Sequence, residues 1–167
     1  MICRPRLMKE QHDLQKLNDP TMIIQVNETD LLNWSVYLFG PEDTPFENGI
    51  FKIKVSIPQN YPISAPTLHF QTRIFHPNVH MDTGEVCLEV LSQKWEPRWT
   101  IESIIRAVRL MLQEPNPDSP LNCDAANLLR ANDLIGYKSI AQYYTKKYAI
   151  DKHEYMNKVN AKDKKTQ

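Results

Sequence analysis

Hydrophobic and polar positions along this chain change their period near residue 99. Before that point the apolar residues recur in twos. In Ile50–Ile57, Phe51, Ile53, Val55 and Ile57 alternate with Lys52, Lys54 and Ser56, the signature of a half-buried strand. Met22–Val26 and Leu32–Phe39 read as two further strands joined by the polar turn Asn27-Glu28-Thr29-Asp30, and Thr67–Thr72 as a fourth strand beyond Tyr61-Pro62 and Pro66. Gly40-Pro41-Glu42-Asp43-Thr44-Pro45 stops both helix and ladder. Residues 6–17 form an opening helix with Leu7, Leu14 and Leu17 on roughly one face. After residue 99 the period lengthens. Thr100 is placed to cap a helix to about Gln113, with Ile101, Ile104, Ile105, Val108, Leu110, Met111 and Leu112 supplying its apolar faces. Pro115, Pro117 and Pro120 forbid helix, and Asp124–Arg130 and Leu134–Ala149 resume it. Strands in succession followed by helices predict an α+β domain with an antiparallel meander, over residues 1–150. The stretch 151–167 has five lysines, three acids and few apolar residues, which predicts a frayed helix end or a disordered tail.

Composition excludes more than it identifies. At 167 residues, 41% hydrophobic and 24% charged, the chain fits one soluble globular domain. Its 20 bases balance 20 acids, so no broad attraction to nucleic acid or to a membrane surface is expected. Charge is unevenly spread: residues 1–16 are basic, whereas residues 17–51 hold Asp19, Glu28, Asp30, Glu42, Asp43 and Glu47 with no base. Such polarity suits a protein partner or a merely solvated face. Cys3, Cys87 and Cys123 are too few and too widely spaced for a disulfide framework or a zinc site. No phosphate loop is present, and neither metal nor organic cofactor is expected. No apolar run is long enough to insert in a bilayer, the first residues are no signal peptide, and Lys165-Thr166-Gln167 is no peroxisomal address, so a reduced, intracellular protein is expected.

The chemistry centres on one thiol. Val86, Leu88 and Val90 share one strand face, which leaves Cys87 and Glu89 on the other and predicts an exposed cysteine; a bulge would invert that phase. Glu85 and Glu89 oppose its thiolate, so Cys87 is a weak nucleophile for a peptide but adequate for an incoming thioester. A cysteine hydrolase would need His76 or His80 as base, although histidines in such a turn also tie loops together. Asn78 has two readings as well. Its amide is suited to stabilise an oxyanion formed at Cys87, and asparagine after proline is also an ordinary turn residue.

Phe75-His76-Pro77-Asn78, Gly84-Glu85-Val86-Cys87-Leu88, Trp95-Glu96-Pro97 and Pro115-Asn116-Pro117-Asp118-Ser119-Pro120-Leu121 resemble the ubiquitin-conjugating enzymes. So do the turn at Gly40–Phe46 and the bend at Tyr61–Pro66, in the same order over about residues 3–150. The resemblance implies an N-terminal helix, a four-stranded antiparallel meander and three C-terminal helices. It implies that Cys87 accepts ubiquitin from an activating enzyme as a thioester, with Asn78 acting on the oxyanion, on loop structure, or on both. Many members carry an acid just before the proline matching Pro120; here Ser119 stands there, with Asp118 one residue earlier. Ile63, Pro97 and Arg98 match the surface that meets a RING-type ubiquitin ligase, Arg98 standing where a small residue is frequent. Arg4, Arg6 and Lys9 match the basic face that meets the activating enzyme. One extra residue between Asn78 and Cys87, and the segments around Glu114–Leu121 and Asn127–Arg130, are similar to the peroxisomal branch in yeasts. That branch implies an anchor protein at the cytosolic face of the peroxisomal membrane, and the import receptor as substrate. Its task would be to let the receptor be recycled, and a cysteine acceptor there would tolerate Ser119. The alternatives are a general cytosolic member of the family, or a non-catalytic module that only binds ubiquitin.

Overall fold

The computed structural model describes residues 3–27, 29–87 and 94–156. Pro5 in the first turn starts helix α1, Arg4–Leu17, and Asn18 ends it in the left-handed region at φ 43°. Four strands follow as an antiparallel meander, β1 (Met22–Asn27), β2 (Asp30–Phe39), β3 (Gly49–Ser56) and β4 (Thr67–Phe70). Trp34 pairs with Val55, Val36 with Ile53 and Leu38 with Phe51, so the alternating apolar residues fall on one face and are buried there. Between β2 and β3 the chain turns too tightly for any side chain at Gly40, where a Cβ would stand 1.7 Å from the Phe46 carbonyl oxygen.

Helix α2, Ile101–Gln113, covers the core with Ile101, Ile104, Ile105, Val108, Met111 and Leu112. Its Thr100 cap is reciprocal, because Thr100 accepts from Ser103 N–H while Ser103 Oγ accepts from Thr100 N–H. Helices α3 (Cys123–Arg130) and α4 (Leu134–Tyr148) are capped by the Asn122 and Asp133 side chains. The α+β prediction, with an opening helix, four strands and three later helices, matches this order.

The carboxyl-terminal stretch departs from the sequence expectation. Ile150–Asp151 form a short strand, β5, antiparallel to Gly49 and Ile50 at the start of β3. Pairing explains it: β4 covers only Ile53–Ser56, and the Thr72 hydroxyl and Gln71 N–H occupy Lys52. The remaining edge of β3 would otherwise leave backbone groups unpaired. Residues 152–156 are helical, and Tyr155 packs edge-on against Phe39. Residues 157–167 lie outside the described residues.

Candidate active site

The wall of the site is built from the turn after β4. Phe75, His76, Pro77 and Asn78 are all buried, an unusual state for a turn with this many polar atoms. His76 resolves it: Nδ1 accepts from Asn78 N–H at 3.1 Å, which places the ring proton on Nε2, where it donates to the Met111 carbonyl at 3.0 Å. Complete burial pushes the His76 pKa down to about 3, so the ring is neutral at every physiological pH. Both ring nitrogens being occupied, His76 is a loop tie and not a base. His80 is also a tie, its Nδ1 accepting from Asp82 and Thr83 N–H at 3.2 Å.

Of the roles open to Asn78 from the sequence, its contacts fit the one in loop structure. Its Nδ2 donates to the carbonyls of Asn116 at 2.8 Å and Ser119 at 3.3 Å, and its Oδ1 accepts from Asn116 N–H at 2.9 Å. The amide therefore serves neither its own turn nor an open oxyanion position. It clamps the proline-rich loop 115–121, from which Leu121 and Asn122 also donate to the Pro77 carbonyl.

Cys87 enters this site from a short hairpin. His80 N–H donates to Glu85 O and Cys87 N–H to Asn78 O at 2.9 Å each, and Val79 bridges Val86. Gly84 makes the hairpin possible: at φ +72° a Cβ would lie 2.0 Å from the Phe70 carbonyl oxygen. Val86 is buried and Cys87 is half-buried, which agrees with their opposite strand phase. Leu88, Glu89, Val90 and Leu91 lie outside the described residues, so the rest of that phase argument does too. The Cys87 Sγ stands 4.0 Å from Ser119 Oγ. Both face a groove of about 700 Å³ whose opposite side is α2, at Ala107, Leu110 and Met111. The Asp118 carboxylate is exposed; the backbone N–H of the same residue donates to Asn116 Oδ1 at 2.9 Å.

The remaining expected site residues lie on a second surface. Ile63 is 73% exposed, and Pro97 and Arg98 are exposed beside it in sequence-distant loops. Trp95 joins the loops, donating from Nε1 to the Pro62 carbonyl at 2.9 Å and packing 6.0 Å from the Tyr61 ring. Arg98 pairs with Glu96 at 2.8 Å, both side chains exposed. On α1, Arg4 and Lys9 are exposed, whereas Arg6 is engaged inside the molecule by Glu10 and by the Trp99 carbonyl at 3.0 Å.

Glu10 is the residue that sequence reasoning passed over. It is 5% exposed and accepts from Tyr61 OH at 2.7 Å, from Ile101 N–H at 2.8 Å and from Arg6. The bond to Arg6 raises the guanidinium pKa; burial, followed by the Glu10 contact, raises that of the Tyr61 hydroxyl. A signal was present: Glu10 is three residues after Leu7 and four before Leu14, on the apolar face of α1.

The architecture has close counterparts. The family model "Ubiquitin-conjugating enzyme" matches residues 6–145. "Protein PEROXIN-4" of Arabidopsis thaliana is 44% identical over 151 residues, covering 89% of this chain and 96% of the relative. "Ubiquitin-conjugating enzyme E2 pex4" of Dictyostelium discoideum is 45% identical over 144 residues, covering 86% and 97%. A crystal structure of H. polymorpha ubiquitin conjugating enzyme Pex4p in complex with the soluble domain of Pex22p superposes with a TM-score of 0.81 at 34% identity, covering 87% of this chain and 97% of that one. On matching sequence, matching fold and a thiol set in a shaped groove, the chain belongs to the ubiquitin-conjugating enzymes, transferases that work through a thioester intermediate.

Proposed function

We propose that Cys87 is the thiol that carries ubiquitin. The observation that carries this reading is the meeting of Cys87 Sγ with Ser119 at 4.0 Å, in a groove whose loop wall is clamped by Asn78. In loading, the Cys87 thiolate attacks the carbonyl carbon of ubiquitin's C-terminal thioester on the activating enzyme, and that enzyme's thiolate leaves. In transfer, an acceptor nucleophile attacks the same carbonyl on Cys87, the Cys87 thiolate leaves, and the acceptor's proton passes to solvent or a nearby base. Thiol exchange between thioesters is nearly balanced, so loading asks little of the surroundings, and no histidine is needed. A cysteine hydrolase is disfavoured, since His76 has no free nitrogen and the side chain that Sγ meets among the described residues is the Ser119 hydroxyl.

Asn78 acts in this reading through the loop: its clamp fixes Asp118 and Ser119 relative to the thioester. With Ser119 where many members carry an acid, an acceptor that ionises readily is favoured, which points to a thiol over an ammonium. Ile63, Pro97 and Arg98 form the surface for a RING-type ligase, and Arg4 and Lys9 the exposed cations for the activating enzyme. The names PEROXIN-4 and pex4 of the relatives support peroxisomal work; within it, the protein proposed to be modified is the import receptor. No helix among the described residues is long and apolar enough to cross a membrane, so a partner with a Pex22p-like soluble domain would hold the chain at the peroxisomal surface.

Incubation with activating enzyme, ubiquitin and ATP, resolved on a non-reducing gel, tests the thioester. A thiol-sensitive adduct present in the native protein and absent from Cys87→Ala is expected. An adduct that persists in Cys87→Ala, or none where a control enzyme loads, overturns the assignment.

A further inference from the structure

We propose that Arg130 is a positioning residue for the transfer step, acting from the end of α3 on the loop that faces Cys87. The inference rests on the reading of Cys87 as the thioester carrier. Loop 115–121 contains Pro115, Pro117 and Pro120, so it lacks three of the N–H groups with which a turn would hold itself. Asn78 grips it at two points, Asn116 and Ser119. The span between those points is Pro117-Asp118, and two contacts hold it. One is internal, Asp118 N–H to Asn116 Oδ1 at 2.9 Å. The other comes from outside: Arg130 Nη2 donates to the Pro117 carbonyl.

The guanidinium is well placed for this and for little else. Its Nη1 reaches Asn127 Oδ1 at 3.4 Å on its own helix, and it forms no ion pair among the described residues. An arginine in a last helical turn ordinarily faces solvent or its own terminal carbonyls. Here the fork spans its own helix and a backbone carbonyl 13 residues away. Two residues beyond that carbonyl stands Ser119, whose hydroxyl lies 4.0 Å from Cys87 Sγ. The Asp118 carboxylate, between them, is exposed and makes no hydrogen bond or ion pair among the described residues, so its direction follows the backbone that Arg130 holds. Loss of the tether would loosen the acceptor side of the groove and leave the thiol and the Asn78 clamp in place.

The test uses the full chain with Arg130→Ala and Arg130→Lys. Each protein is charged in a single turnover and then chased with free cysteine and with free lysine over a range of concentrations. Arg130→Ala is expected to charge at the native rate, while its maximal discharge rate falls about tenfold, as expected for one lost charge-assisted hydrogen bond. The half-saturating acceptor concentration is expected to stay unchanged. Arg130→Lys is expected to recover much of the rate, because an ammonium still reaches one carbonyl but cannot also hold Asn127. Native discharge in Arg130→Ala, or an equal loss of charging and discharge, overturns the inference. Failure of the native protein to form a Cys87 thioester would overturn the earlier reading, and this one with it.

Discussion

Two polar clusters tie the elements together, one beside the groove and one away from it, and they are built from opposite materials. His76 and Asn78 form a neutral cluster, in which every side-chain polar atom meets a backbone group at 2.8 to 3.3 Å. Arg6, Glu10 and Tyr61 form a charged one, in which a carboxylate joins α1 to the 61–63 bend and to the first N–H of α2. The first holds loops against the thiol; the second holds the first helix against the surface bearing Ile63 and Pro97. If Cys87 carries the thioester as proposed, a neutral clamp keeps charge away from it. A charged tie at a helix N-terminus gains from the helix dipole and sits where no reaction occurs. Buried polarity in this fold therefore has two uses, and substitution should separate them.

Asn78→Ala should give the largest kinetic effect. It removes three bonds to the loop, and a displacement of about 1 Å in such a site costs on the order of 10²-fold in rate. Single-turnover discharge should fall by that order while charging changes only a few-fold. Asn78→Asp sharpens the point: it can still accept from Asn116 N–H but cannot donate to either carbonyl, so it should resemble alanine. Glu10→Ala should give the largest loss of stability, about 2–3 kcal/mol by denaturant titration, because it leaves the Ile101 N–H and the Tyr61 hydroxyl without their carboxylate and Arg6 with the Trp99 carbonyl alone. Its charging and discharge, measured on the folded fraction, should remain near native.

The neutral cluster should also set an acid limit. The His76 pKa is about 3 in the folded protein against 6.5 when exposed, so the unfolded chain binds the extra proton between those values. Stability is then fully present above pH 6.5 and declines as pH falls towards 3, with a slope approaching about 1.4 kcal/mol per pH unit from this group. His76→Gln should flatten that slope in unfolding curves taken from pH 7 to 4. Arg98→Ala should do least to the fold. Its pair with Glu96 is exposed and should contribute less than about 0.5 kcal/mol, so any defect should appear only in ligase-stimulated discharge.

Much of this was legible in the sequence, and the rest was hidden for definite reasons. The meander, α2 and its Thr100 cap follow from alternation, spacing and a capping residue, all local signals. Cys87 stood out because its neighbours lacked metal or phosphate chemistry, and the family pattern around it implied its task. The partner of Asn78 was not legible, because the clamp crosses 38 residues of chain to Asn116. Arg130 read as a member of a helix, in a segment similar to the peroxisomal branch, but its contact was not legible, since a bond to a carbonyl leaves no trace in residue type. Glu10 did leave one, a carboxylate on an apolar stripe, which means burial with partners far more often than chance. Strand β5 was missed because a charged tail reads as solvated, and only the unpaired edge of β3 gives Ile150–Asp151 a reason to be a strand.

The most direct measurement pairs Asn78→Ala with Glu10→Ala in one experiment: thioester charging, single-turnover discharge to free cysteine, and denaturant stability. The account predicts a crossed pattern, with discharge lost in Asn78→Ala and stability lost in Glu10→Ala. Discharge lost to the same degree in both proteins at equal folded fraction, or retained in Asn78→Ala, would contradict the assignment of the neutral cluster to the reaction.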